Sequence, residues 1–515
     1  MEQTVPLLVV LPLAAAFAIV VMAHVAGIKR LTGALAVVIV LANLVIGVSL
    51  LGGQIKPIFI GGWGPGKTLG IAMVCDGLSK LMVITINMVA LVSIIFAVAY
   101  MRRFTKVWLF HALFLLMTAA MNGVVLAGDL FNLFVFLEVA AIASYALVGF
   151  GCEAEELEAA FKYLVLGTVG SAFILLGVTI LYSLTGHLNM AMVAQMLKEV
   201  SPAGGPVNPA VLLAAAALIG GLALKAAMVP FHAWLPDAHP SAPAPISAML
   251  SGVLIKASGV YAIARIVFNV LGPTPQYAWI LIVLGAASMV VGMFLALGQW
   301  DFKRLLAYSS ISQAGYIVLA LGVAAEVMSR DVPDRTVAAL CLFGGLFHLF
   351  NHATFKSLLF LCSGSIEQQV GTRQLREMGG LTRTMPVTSF CCRIGALSIA
   401  GLPPLNGFFS KLIIIIALAL SGHVALCVLA VGVAVGTLLM YVKVQRYVLE
   451  GVPGDKVASA REAPFTMCLA LVILAVVCVV GGLAIVPLRE ELFGPAGDAL
   501  LNGARALKVA MGVAP

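Results

Sequence analysis

Charge is what this sequence has least of. Of its 515 residues only 10% are charged, 30 Lys or Arg and 22 Asp or Glu, against about 25% in soluble globular domains. With 62% of the chain hydrophobic, a soluble fold of this size would have no polar surface to present, so that class is excluded. The nine cysteines contain no CxxC pair, and the adjacent Cys391 and Cys392 are a poor start for a metal or iron–sulfur site. All nine read as helix-packing residues. No phosphate loop, dinucleotide fingerprint or nucleophile elbow is present, and GGWGPG (61–66) reads as a loop. A soluble enzyme and a cofactor are therefore not expected. The net charge of +8 does not point to nucleic acid, because the basic residues cluster in short loops between apolar runs, where they orient membrane helices. The N-terminal segment has no basic region before its apolar run and reads as a first span rather than a cleaved signal peptide.

What is present is a series of apolar runs, each long enough for the ~30 Å hydrocarbon core. They fall at 5–26, 31–51, 71–100, 106–127, 129–150, 159–184 and 208–229, the last continuing past a break to 238. Seven more fall at 243–268, 277–298, 304–325, 335–363, 385–420, 422–446 and 464–487. The expectation is an all-α polytopic membrane protein of about fourteen transmembrane helices, numbered here as spans 1 to 14. Loops after odd-numbered spans hold most of the basic residues: Lys29 and Arg30, Arg102, Arg103 and Lys106, Lys303 and Arg304, Arg373, Arg376 and Arg383, Lys443 and Arg446. Loops after even-numbered spans hold fewer, among them Lys56, Lys67, Lys198, Arg330 and Arg335. The positive-inside rule places the odd loops in the cytoplasm and both termini outside.

Helix breakers interrupt two spans. Pro230 lies in span 7, and Pro403, Pro404 and Gly407 lie in span 12. Broken helices at corresponding places in two halves point to a transporter built from inverted repeats. The expected division is spans 1–3 (1–105), two inverted repeats of five helices (106–270 and 271–450), and span 14 with a tail (451–515). No residue-level repeat supports it; the breaks and the span count do.

Ionisable residues at membrane depth are costly, about 2.5–3.5 kcal/mol at a helix centre, and mark ion or proton paths by default. Glu138 sits near the middle of span 5, Lys225 on span 7, Lys256 on span 8, Lys356 on span 11 and Lys411 on span 12. Each taken singly also fits a snorkelling chain or a local packing pair. Lysine suits a relay because burial loosens its proton and a nearby carboxylate restores it, whereas arginine does not let go. His232 follows the span 7 break; His348, His352 and Lys356 share one helix face at i, i+4, i+8. No carboxylate or cysteine nearby completes a metal site around the two histidines, so they read as relay groups, with polar helix packing the bland alternative. Asp129, Asp76 and Lys162 stand at span ends as supporting groups or plain helix-end charges. Glu153, Glu155, Glu156 and Glu158 read as a solvated acidic loop.

Several long segments resemble the antiporter-like family shared by respiratory complex I, membrane-bound hydrogenases and Mrp-type sodium/proton antiporters. They are DLFNLFVFLEVAAIASYALV, LEAAFKYLVLGTVGSAFILLG, KAAMVPFHAWLPDAHPSAPAPISAMLSGVLIKASGVYAIAR, DFKRLLAYSSISQAGYI, FHLFNHATFKSLLFLCSGSI and GLPPLNGFFSKL, in order over residues 70 to 450. The resemblance implies that Glu138 and Lys225 form the family's tunable pair, with Lys256 as its helix 8 lysine and Lys411 its terminal residue. A terminal lysine is similar to N-type and Mrp D-type subunits rather than M-type, and the chain lacks the extensions of L-type and Mrp A-type subunits. The wording looks most like Mrp D and its hydrogenase relatives. The resemblance therefore implies a proton-translocating subunit of a multisubunit Na+/H+ antiporter in the cell membrane. Its partners would be other membrane subunits, protons, sodium and the lipid bilayer. The alternatives are a proton-pumping subunit of a redox complex and a non-conducting scaffold. The implied path enters from the cytoplasm near Lys256 and His232, runs through Lys225, His348, His352 and Lys356 to Lys411, and leaves outward.

Overall fold

The computed structural model describes the chain except residues 1–3, 26–27, 54–55, 57, 61–70, 202–206, 454 and 511–515. The GGWGPG loop and Lys67 lie outside the described residues. Among the described residues, eleven helices are long and apolar enough to cross a membrane, and four shorter apolar ones complete the set. Those four are Leu7–Met22 (span 1), Pro209–Lys225 (the first half of span 7), and Pro386–Ala400 and Asn406–Leu420 (the halves of span 12). Fourteen spans result.

Cap residues set where many spans begin. Asp76 accepts from Ser79 N at 2.9 Å and starts span 3, Gly77–Tyr100; Asp129 accepts from Asn132 N at 2.6 Å and starts span 5, Leu130–Val148. Asn208, Thr274, Asp301 and Asp334 do the same for spans 7, 9, 10 and 11. Each offers a side-chain oxygen to an otherwise orphaned first-turn N–H.

The caps also correct two expectations. Span 3 begins at Gly77 rather than 71, because Ile71–Met73 pairs antiparallel with Ile58–Ile60 in a short hairpin. Glu153 to Glu158 form no loop: Glu153 is the N-cap and Glu155 and Glu156 the first turn of span 6, Ala154–Thr185, where acidic groups favour the positive end of the helix. Further helices lie outside the spans. Met190–Val200 joins spans 6 and 7, and Gly494–Leu501 follows span 14, Phe465–Leu483. Cys152 departs from the packing role, being exposed, while the other cysteines are buried or half-buried and free.

Loop contacts sort the ends of the spans into two faces. On one, Arg373 donates to Pro240 O at 2.7 Å and pairs with Asp301 at 3.2 Å, Arg304 and Lys162 both pair with Asp237, and Lys443 donates to Leu297 O at 2.7 Å. These join the loops after spans 5, 7, 9, 11 and 13. On the other, bridges link Met73 to Ala127 and Asp129 to Asn189, and Arg330 donates to Ser421 O at 2.8 Å. Odd and even loops therefore occupy opposite faces.

The two interrupted spans lie five places apart, an odd number that inverts one against the other. Spans 6 and 11, each one place before a break, are the longest helices, at 32 and 36 residues. Both breaks contain a cis peptide bond, Val229–Pro230 and Pro403–Pro404. Span 8, Ala244–Leu271, is buried throughout and wound partly as π-helix, including Leu250–Leu254 and Lys256–Tyr261. Such wide turns recur at functional sites because they re-aim side chains and free backbone groups.

Candidate functional site

Glu138 lies about 13 Å along span 5 from its cap. It shares a helix face with Phe131, Val135 and Ile142, all exposed, and its side chain is 29% exposed against 4% for Lys225. Lys225 Nζ donates to Glu138 Oε1 at 3.1 Å, and the Ser171 hydroxyl of span 6 donates to the same oxygen. The pair thus stands at the perimeter, its carboxylate facing outward and its ammonium inward.

Lys225 is the last residue of the first half of span 7, and the break around Pro230 is held by protein groups. Trp234 Nε1 donates to Leu224 O at 3.1 Å, Val229 N to Ser288 Oγ at 2.9 Å, and Met228 N to Ala223 O at 2.9 Å. Tyr163 stacks on Trp234 at 4.0 Å, and Tyr145 meets Tyr163 edge-on at 4.5 Å. Backbone freed at membrane depth is satisfied here by protein groups.

The second group of contacts runs from Lys256 to Lys356. Lys256 Nζ donates to Ser251 O in the π-wound stretch. Ser251 Oγ meets Ser310 Oγ at 2.7 Å, Ser310 donates to Leu306 O at 2.8 Å, and Lys356 Nζ donates to that carbonyl at 2.7 Å. Lys356 also donates to Ser309 Oγ and, at 3.4 Å, to Tyr441 OH. Spans 8, 10, 11 and 13 are tied together by this run.

The third group surrounds the second break. His348 Nδ1 lies 2.9 Å from Ser410 Oγ, and the adjacent Lys411 donates to Ile399 O at 2.6 Å, across the break. The Tyr316 ring lies 5.5 Å from Lys411 Nζ and 5.6 Å from the His348 ring. His352 is fully buried, with both ring nitrogens unpartnered. Buried polar atoms of this kind are normally satisfied by water.

One expected position, His232, comes out differently, while Lys162 and Asp76 take the helix-end reading. His232 is half-buried, 6.5 Å from the Tyr308 ring, and makes no part of these groups. The histidine beside the lysines is His239: fully buried, both ring nitrogens unpartnered, stacked at 4.4 Å on Phe360, whose ring lies 6.0 Å from Lys356 Nζ. Lys162 is a helix-end charge, 47% exposed, pairing with Glu158 at 2.7 Å and Asp237 at 3.1 Å; Ser171 is the span 6 residue at Glu138. Asp76 forms a two-pronged pair with Arg265 at 2.6 and 2.8 Å near the even-loop face. Burial alone would raise the Asp76 carboxyl, but the Arg265 guanidinium and the Ser79 hydrogen bonds hold it below the usual range. Asp129 keeps its place as the buried cap of span 5, and burial pushes its carboxyl up to about 6.

Residues 127–437 match the family model described as NADH:quinone oxidoreductase/Mrp antiporter, TM. The chain belongs to this family. It is 31% identical over 492 residues to the D-type subunit of the Na(+)/H(+) antiporter of Alkalihalophilus pseudofirmus, covering 95% of this chain and 96% of that one. It is 35% identical over 422 residues to the N-type subunit of the NADH-quinone oxidoreductase of Desulforudis audaxviator, covering 81% and 80%. A chain of the Mrp complex from Dietzia sp. DQ12-45-1b superposes with a TM-score of 0.88 at 28% identity, over 99% of both chains. Within the family's matched region lie Glu138, Lys225, Lys256, Lys356, Lys411 and both breaks. The connecting Ser251, Ser309 and Ser310, together with His239, fall there too, though sequence reasoning passed over them. Their one signal was a cluster of hydroxyls in apolar spans, SAMLSG and AYSSIS.

Proposed function

We propose that this chain is the proton-translocating subunit of a multisubunit Na+/H+ antiporter of Mrp type in the cell membrane. The Glu138–Lys225 pair carries this reading: a carboxylate at the perimeter holds an ammonium that opens inward toward the lysines of spans 8, 11 and 12. Closing the pair retains the proton on Lys225, and opening it releases the proton toward Lys256. Serine hydroxyls with intervening water carry it to Lys356, the Leu306 carbonyl only orienting the two donors Ser310 and Lys356, and His352 and His348 pass it on to Lys411. Moving one charge across 100 mV is worth about 2.3 kcal/mol, a scale that opening one ion pair can match. End-to-end similarity to a D-type antiporter chain supports the antiporter context. An ionised carboxylate facing hydrocarbon is expensive, so the exposed side of Glu138 favours a neighbouring membrane subunit covering span 5.

Glu138→Gln or Lys225→Ala is expected to abolish cation-driven pH change in everted vesicles while the complex still assembles. Wild-type rates in either variant would overturn the relay. The second reading, a proton-pumping subunit of a redox complex, draws on the 35% identity to a quinone oxidoreductase chain. Purification of the native complex separates the two: small antiporter subunits favour the first, iron–sulfur or flavin subunits the second.

A further inference from the structure

The loops after spans 3, 5, 7, 9 and 11 converge on a cavity of about 360 Å³, room for on the order of ten waters. It is lined by Arg103, Glu153, Glu156, Ser241 and Arg373, and by the buried Lys303 with its partner Glu367, here called its floor. Lys303 is buried to 3% exposure, yet its Nζ lies 2.9 Å from Glu367 Oε2 and 3.2 Å from Ala242 O. Arg373 reaches the other Glu367 oxygen at 3.8 Å. The lining mixes both signs of charge, which suits hydration better than capture of one ion.

What lies under the floor gives the cavity its meaning. Glu367 is on span 11, the helix that carries Lys356, eleven residues or about 16 Å further along. Between them Phe360 faces His239, whose ring nitrogens are both unpartnered. Ala242, which accepts from Lys303, follows His239 by three residues at the end of helix Leu235–Ser241. The cavity floor and the lysine row are thus connected by one helix and one buried histidine.

We infer that this cavity is the aqueous vestibule through which the relay exchanges protons with the odd-loop side, with the Lys303–Glu367 pair as its gate. The inference rests on the relay reading above. It moves the point of access from His232 to the Lys303 floor, and it makes Lys303 and Glu367 positioning residues.

The test plugs the vestibule. In the assembled complex, with the exposed native thiol removed by Cys152→Ser, Ser241→Cys places a thiol on the cavity wall, and Ala154→Cys provides a second wall position. Ser459→Cys, exposed beyond span 13 on the same face, is the control. A bulky, membrane-impermeant maleimide applied from the odd-loop side should label all three positions. It should slow cation-driven proton movement at least tenfold in the wall variants and less than twofold in the control. A small methylating thiol reagent at Ser241→Cys should keep more than half the rate. Full transport with a bulky label at full occupancy, or wall thiols that never react while the control does, overturns the vestibule. Glu138→Gln in the same vesicles separates the two proposals. Transport indifferent to that change sinks the relay, whereas transport abolished by it but indifferent to the plug sinks the vestibule alone.

Discussion

Glu138, Lys225, Lys256, Lys356 and Lys411 could be picked out of the sequence because each violates the composition around it. A charged side chain in an apolar run is rare enough to be a signal. The residues that link them are not. Ser251, Ser310 and Ser309 are small and nearly neutral in hydropathy, and serine back-bonds within a helix as readily as across one. Ser251 also lies in the π-wound part of span 8, which no local pattern announces. Ser310→Ala removes the hydroxyl between Ser251 and the Leu306 carbonyl while leaving every ionisable group in place. The relay predicts about a tenfold lower transport rate, worth ~1.4 kcal/mol, with unchanged assembly. An unaltered rate in reconstituted vesicles would remove the serine from the path.

Asp129 offers a pH test at the same scale. Its folded carboxyl titrates at about 6 because of burial, above the ordinary value near 4. The folded state therefore binds the proton more tightly than the unfolded chain. This contribution favours folding below pH 4 and is lost as pH rises from about 4 to 6, leaving a cost of up to about 3 kcal/mol above that window. Asp129→Asn keeps a cap oxygen for Asn132 N and removes the titration. The variant should melt at higher temperature than the parent at pH 7.5 in detergent, and the difference should vanish near pH 4.

At the scale of elements, span existence was legible from length and hydropathy, and both breaks from proline. The span 3 boundary was not, because IAM extends the apolar run although it pairs as a strand. The acidic segment before span 6 was misread because composition alone does not distinguish a solvated loop from a helix's first turn. Span 1 shows how a breaker is accommodated without becoming a site. Pro12 has no N–H to offer the Leu8 carbonyl, and Asn43 Nδ2 at 2.9 Å and Asn122 Nδ2 at 3.0 Å take its place. Asn122 also pairs with Asn87 at 2.9 Å. Asn122→Ala should lower stability by about 1–2 kcal/mol with little change in transport rate, as read by thermal unfolding beside a vesicle assay.

At the scale of the whole molecule, loop contacts separate two faces, and the basic residues concentrate on the odd-loop face, as the positive-inside rule requires of a cytoplasmic side. Cys152, the exposed native thiol of the loop before span 6, is a ready-made reporter of orientation. It should react with an impermeant maleimide in everted vesicles and be protected in right-side-out ones, whereas a cysteine at the exposed Val332, in the loop after span 10, should behave oppositely. The reverse pattern would invert the molecule.

We propose that one ion pair at the perimeter, Glu138–Lys225, governs proton movement through the chain. It is tested most directly by cation-driven pH change in everted vesicles holding the intact complex with Glu138 as Glu, Asp or Gln. Full transport, reduced but measurable transport, and none are expected in that order, at equal complex content. Transport by Glu138→Gln at the parent rate would contradict this.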